Sequence, residues 1–297
     1  MSRIASPARE SCREETADVV HAPPPAKAAQ VRACSDIAAR NQGFYDALWS
    51  ASSVTLPQRF NTWPLLSALA ASAPARLEIG PGLRPRLPIA GTSFVDISQP
   101  ALSRLKAHGG LTMLGDVTAL PFPDRSFDLL CAFDIVEHIE DDQQAFCELS
   151  RVAKDDAIVV LSVPLHPACW SAFDTLVGHV RRYEPGELLA ILRTHSFSLE
   201  QSAVFGMQPR SGWLLDFAVW GLTHKPVQAM RWYNGLFLPL GLFLQRPLAW
   251  STGLTDVTNV DEILLVCRRD RRPAEQSPAV ERMQMVLEAP DMIVEPR

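Results

Sequence analysis

The sequence has no CxxC pair, and none of its six cysteines, Cys12, Cys34, Cys131, Cys147, Cys169 and Cys267, has a histidine at metal-finger spacing. That excludes a zinc finger and a paired-cysteine redox motif, and scattered thiols of this kind lead to the expectation of a reducing, cytoplasmic compartment. It also has no excess of positive charge. A formal net charge of -5 argues against a chain whose affinity rests on neutralising many phosphates, so no nucleic-acid partner is expected. Long apolar runs are missing as well. The longest, 235–244, is broken by Pro239 and Gly241 and stops well short of the roughly 20 residues that a membrane-spanning helix needs. The first 25 residues mix Arg, Glu, Ser and Pro where an export signal would place an apolar core. No internal repeat is visible.

What is there is a chain of 297 residues, 47% of them apolar, enough for one large α/β domain with appendages. Residues 1–35 are rich in Ala, Pro, Glu and Arg without periodicity and are expected to form a disordered tail, as are the charged, proline-bearing residues 271–297. The domain is then expected over 36–270. It opens with an amphipathic helix over 36–50 that places Phe44, Tyr45, Leu48 and Trp49 at helical spacing. From Ala75 short apolar runs alternate with helical stretches, the pattern of βα units and a parallel sheet. Strands are predicted at 76–79, 92–95, 111–114, 127–133, 157–163, 199–204 and 262–267, and the clearest helices at 141–152 and 185–193. The last two strands have no evident crossover helix between them.

The strongest local pattern is Leu77-Glu78-Ile79-Gly80-Pro81-Gly82, a strand ending in an acid and two glycines. Glycines let the backbone turn tightly and approach a ligand where a Cβ would collide. Alone, such a string also occurs in turns without a ligand. Here it is followed by Asp96 after the second strand, Gly115-Asp116-Val117 after the third, and Phe133-Asp134-Ile135-Val136-Glu137-His138 after the fourth. Open parallel sheets bind ligands beyond the carboxyl ends of their strands, so these residues converge on one crevice, where an acidic strand end can accept ribose hydroxyls.

This ordered set, together with Leu120-Pro121-Phe122 and Phe127-Asp128, resembles the class I S-adenosylmethionine-dependent methyltransferases. Among these it is most similar to the small-molecule branch that includes the ubiquinone and menaquinone C-methyltransferases. The resemblance covers about 44–204 and the final strand. It implies a Rossmann-like fold with strand order 3-2-1-4-5-7-6, the seventh strand antiparallel, and S-adenosylmethionine as cofactor. It places Gly80 and Gly82 against the cofactor's methionine part, Asp96 on the ribose, and Asp116 on the adenine amine with Val117 beside it. Glu78, Pro81, Ile97, Phe133 and Asp134 are assigned to the same cofactor site. Two departures stand out: Leu83-Arg84-Pro85-Arg86 replaces the third glycine of the usual motif, and Lys154-Asp155-Asp156 replaces the usual Pro-Gly-Gly turn before strand five.

A second constellation, Val163-Pro164-Leu165-His166, Trp170, Asp174 and Gly178-His179-Val180-Arg181-Arg182-Tyr183, resembles the segment that lies over the active site in a subset of these enzymes. Asp174, Arg182 and Tyr183 are therefore expected to contact the substrate; the alternative is Arg181 and Arg182 as a solvated face, Tyr183 as an anchor and His179 as a helix-approach residue. His138, His166 and His179 are the candidate bases, needed only if the acceptor is a hydroxyl or phenol. No metal is expected, because these histidines include no close pair such as HxH or HxxxH. The aromatic stretch 207–260, with Trp213, Phe217, Trp220, Trp232, Phe237, Phe243 and Trp250, is expected to form a helical cap; a hydrophobic substrate pocket or a peripheral membrane contact are the alternatives.

The expectation is methyl transfer from S-adenosylmethionine to a small, partly hydrophobic acceptor. A non-catalytic methyltransferase-like binding domain is the alternative, followed by a nicotinamide-dependent oxidoreductase, which would need a glycine where Pro85 stands.

Overall fold

The structure, a computed structural model, describes residues 49, 52–206, 219–221 and 223–271. Its strands are β1 (Arg76–Ile79), β2 (Thr92–Asp96), β3 (Leu111–Leu114), β4 (Phe127–Phe133), β5 (Ala153–Pro164), β6 (Phe197–Phe205), β7 (Trp250–Thr252) and β8 (Glu262–Arg269). They form one sheet in the order β3-β2-β1-β4-β5-β8-β6-β7. The first five are mutually parallel, and β8 runs antiparallel to both β5 and β6. All seven expected strands are present in the expected order, the seventh being β8.

Two expectations need correction. The insertion is not purely helical: Trp250, assigned to its aromatic helices, lies in β7, which pairs with the outer edge of β6. A β-prone Trp-Ser-Thr run there satisfies backbone groups that an edge strand would otherwise leave open. The polar Lys154-Asp155-Asp156 is part of β5 instead of a separate turn, with Asp156 left-handed at φ 65° and the register against β4 shifting between Phe127 and Leu129.

Helices cover both faces, as a parallel sheet requires. They are α1 (Trp63–Ser72), α2 (Gln99–Ala107), α3 (Asp142–Val152), α4 (Ala172–Val177), α5 (Pro185–Thr194), α6 (Pro226–Trp232) and α7 (Leu238–Leu244). Their starts follow local chemistry. Ser98 caps α2, Asp141 caps α3, and Ser171 with Asp174 forms a capping box on α4. Strand residues alternate between two cores. On one face Leu77, Ile79, Leu130, Val159, Leu161 and Leu265 pack under Phe146 and Leu149 of α3 and Leu188 and Leu192 of α5. On the other, Leu129, Cys131, Val160, Leu264 and Val266 pack under Leu66 and Ala70 of α1. The insertion is held to the chain before α1 through Leu238 and Leu242 against Phe60. Trp232, Phe237 and Phe243 remain exposed. The predicted helix over 36–50, Trp49 apart, the pair Trp213 and Phe217, and the tails 1–35 and 272–297 lie outside the described residues.

Candidate active site

The turn after β1 is set by two left-handed glycines, Gly80 at φ 63° and Gly82 at φ 51°. A Cβ at Gly80 would sit 2.1 Å from Ile135 Cδ1, and one at Gly82 2.2 Å from Trp49 Cζ2, so a side chain at either position is strained by its left-handed φ and must displace a neighbour. Asp96, at the end of β2, accepts hydrogen bonds from Gly82 N at 2.9 Å and Ser98 N at 2.8 Å. Its carboxylate thus faces the turn and fixes it against the neighbouring strand. Glu78 is buried and accepts the amide hydrogens of Arg86 and Leu87 at 2.8 and 2.9 Å. That bond pair closes the loop that follows Gly82, which is how the chain dispenses with the third glycine. Burial pushes the Glu78 carboxyl up to about 7 against the lowering effect of the Leu87 and Arg86 amides and the Arg86 charge. Glu78, expected at the cofactor, holds the loop's own backbone.

Further along the edge, Asp116 is exposed, with Oδ1 accepting from Thr118 N and Oγ1 at 2.7 and 2.6 Å, and Val117 beside it is buried. At the end of β4, Asp134 is left-handed at φ 53°, a strained conformation for a residue with a Cβ. It is held there by Ser162 of β5, whose Oγ accepts from Asp134 N at 3.1 Å and donates to its carboxylate at 2.6 Å. Arg86 was missed at the sequence level. Its guanidinium lies 3.7 Å from the Phe60 ring centroid, with Phe133 and Phe205 within 5.7 Å, and faces the charges of Asp134, Glu78 and Glu262. Burial, then the Asp134 charge, drives the Glu262 carboxyl well above its usual range. An open cleft of about 430 Å³ is lined by Asp128, Asp156, Glu200 and Arg268 at the opposite, amino-terminal edge of β4 and β5, away from all of these groups.

The three residues expected to contact substrate are committed elsewhere. Arg182 makes a two-pronged contact with Asp174 at 2.9 and 3.0 Å and reaches Asp261 at 2.6 Å and the Leu165 carbonyl at 3.2 Å. The Arg182 and Asp174 side chains are 1% and 0% exposed. Burial pulls the Asp174 carboxyl up, but hydrogen bonds from His179, Arg182 and Ser171 outweigh it and hold it below the usual carboxylate range. Tyr183 is buried and donates to Asp142 at 3.0 Å; burial, then the Asp142 charge, pushes its phenol up. These bonds hold the segment after β5 in place.

Two of the three candidate histidines come together. The rings of His138, on the turn Val136–His138, and His179, just after α4, lie 4.7 Å apart between centroids and nearly perpendicular. Nδ1 of His138 donates to the Gly178 carbonyl at 3.1 Å, and Nδ1 of His179 to Asp174 at 2.8 Å. Burial, then the His179 ring, lowers the pKa of His138 to about 3, which makes it a weak base at neutral pH. His166 stands apart at the end of β5, its Nε2 donating to the Val257 carbonyl at 2.9 Å. Glu137, quoted in the motif but given no role, is fully buried beside the histidine pair. Its signal in the sequence was its place next to His138.

The sheet order and the antiparallel β8 define an α/β domain of the doubly wound kind, in which ligands bind beyond the carboxyl ends of the strands. Residues 83–161 match the family described as "Methyltransferase domain". Over this stretch the chain is similar to S-adenosylmethionine-dependent methyltransferases. A Mycolicibacterium smegmatis protein named "Probable S-adenosylmethionine-dependent methyltransferase" is 30% identical over 90 residues, 30% of this chain and 35% of that protein. A Mycobacterium tuberculosis protein of the same description is 24% identical over 136 residues, 44% of this chain and 43% of that protein. The chain thus matches less than half the length of either relative. Among solved structures, a SAM-dependent methyltransferase of Thermotoga maritima aligns with a TM-score of 0.48 and 15% identity, covering 72% of this chain and 91% of that one. No helix of the described residues is long and apolar enough to cross a membrane.

Proposed function

We propose that the chain transfers a methyl group from S-adenosylmethionine to a small acceptor with an apolar body, in the crevice at the carboxyl edge of β1, β2 and β4. The observation that carries this reading is the joined pair of Gly82 and Asp96, a left-handed glycine turn tied to the acid at the carboxyl end of β2, the strand-end position at which sheets of this kind hold ribose. Gly80, Pro81 and Gly82 would flank the methionine part, and Ile97 the nucleoside. Asp116 would take the adenine amine through the Oδ2 that Thr118 leaves open, over Val117. Phe133 and Asp134 would close the inner end.

The bound sulfonium supplies an activated methyl group, so the chain's part is to align the acceptor and exclude water. Phe60, Phe133 and Phe205 around Arg86 suit an acceptor with an apolar body, with the guanidinium available to a polar or anionic end. Each of the three candidate bases donates one ring nitrogen to a protein acceptor, which puts the ring's lone pair on the other nitrogen; such a base is needed only if the acceptor is a hydroxyl or phenol. Calorimetry with S-adenosylhomocysteine tests the proposal: one-to-one binding is expected, with transfer of labelled methyl to acceptors from a metabolite set. Failure of both adenosyl ligands to bind, with NAD binding in their place, overturns it.

A further inference from the structure

We propose that Glu137, His138 and His179 form a site for one divalent transition-metal ion of the zinc class, held between the turn after β4 and the segment after α4.

The starting point is a carboxylate in an unfavourable place. Glu137 is fully buried, and neither carboxylate oxygen has a hydrogen-bond partner among the described residues. Its buried neighbours are compensated: Asp174 by Arg182, His179 and Ser171, Glu78 by backbone amides. A buried carboxylate without that compensation needs a proton or a cation.

The geometry around it suits a cation. One ligand atom from each of Glu137, His138 and His179 lies within 4.8 Å of the others, and His179 Nε2 is 3.8 Å from Glu137 Oε1. Ligands about 2.1 Å from a tetrahedral ion sit roughly 3.4 Å from each other, so the three close onto an ion through small side-chain rotations. Both histidines are set for the task. Each has Nδ1 against a group that can only accept, the Gly178 carbonyl and the Asp174 carboxylate, so Nδ1 carries the proton and the neutral ring's lone pair is on Nε2. A metal-ligating histidine usually donates its other nitrogen to a carbonyl or carboxylate in this way. Arg182 in turn fixes Asp174, and Val180 N donates to the Glu137 carbonyl at 2.8 Å, which locks the two ligand-bearing segments in register.

Two imidazoles and one carboxylate favour zinc, or iron and manganese after it, over magnesium or calcium, which take oxygen ligands. Three protein ligands also leave a coordination position open, the mark of a site that binds a further oxygen. That this oxygen belongs to the methyl acceptor rests on the methyl-transfer reading; the metal site itself does not.

The test uses the full chain, stripped with a chelator and titrated with Co²⁺ as a spectroscopic probe, then with Zn²⁺ in competition. One saturable site with visible absorption bands that Zn²⁺ abolishes is expected. Glu137→Gln, nearly isosteric, is expected to weaken binding at least tenfold with the circular dichroism spectrum retained, and His138→Gln to do the same. Absence of saturable binding to the folded parent, or a Glu137→Gln protein that binds Co²⁺ as tightly as the parent, overturns the site and leaves Glu137 as a buried protonated acid. S-Adenosylhomocysteine titration of the same samples keeps the two readings separable, because metal binding without adenosyl binding sinks the methyl-transfer reading alone.

Discussion

Arg182→Ala is the substitution on which the sequence and the structure disagree most. Read as a substrate contact, Arg182 could be removed with little effect on folding. In the structure its guanidinium is the main counter-charge of Asp174, and both side chains are sealed from solvent. Removing it leaves Asp174 with His179 and Ser171 only, and breaking a buried pair from one side costs about 3–5 kcal/mol. The Leu165 carbonyl loses a donor as well, for about 1 kcal/mol more. Asp261, with its side chain 46% exposed, rehydrates at little cost. A total on the order of 5 kcal/mol lowers the melting temperature by roughly 10–20 °C in a domain of this size. Urea unfolding followed by tryptophan fluorescence reads it as a fall in midpoint at unchanged slope. Asp174→Asn should then cost less in the Arg182→Ala background than in the parent, with a coupling of about 2 kcal/mol. A loss under about 1 kcal/mol, or two changes that simply add, would refute the reasoning and return Arg182 to the ligand side.

Three further outcomes are expected. Gly82→Ala forces a Cβ into the Trp49 ring at a left-handed φ; a loss of about 1–3 kcal/mol in urea unfolding is expected, and none would mean that Trp49 does not pack there. Asp96→Ala should weaken S-adenosylhomocysteine binding by roughly 1.5–3 kcal/mol, read by calorimetry; unchanged affinity would remove Asp96 from the ribose. Glu78, raised from 4.5 to about 7 in the folded state, keeps a proton there that the unfolded chain has lost. Its contribution is therefore fully present below about pH 4.5 and is lost as pH rises through about 7, an effect on the order of 3 kcal/mol. Unfolding free energies at pH 5 and pH 8 should differ by less in Glu78→Gln than in the parent, whatever pH-independent cost the amide brings; equal differences would show that Glu78 does not titrate in this window.

The sheet was legible because its strands are short apolar runs separated by helical periodicity, and the resemblance supplied their order. The cofactor edge was legible because glycine and aspartate at strand ends are local signals. β7 was not: Trp250 reads as one more aromatic in an aromatic stretch, and only pairing with β6 makes it a strand. The internal bonding of the polar segment after β5 was not legible for a related reason. A charge in a sequence looks available, and nothing within a few positions of Arg182 reveals that Asp261, far along the chain, and the Leu165 carbonyl close around it. Glu137 escaped because burial, which makes it unusual, is a property of the folded chain.

The place of β8 has a consequence for how the chain is made. It is the last described strand to be synthesised, yet it lies between β5 and β6 and pairs with both along nearly its whole length. Ile158 meets Arg268, a loop closure of high contact order, and such pairings form slowly. While residues 262–269 are still within the ribosome, β5 and β6 each hold an open edge rich in apolar side chains. Open edges of this kind recruit other chains, so the nascent protein is most exposed to misassociation in the interval just before its final strand emerges, and a chain cut short of Glu262 would never leave that interval.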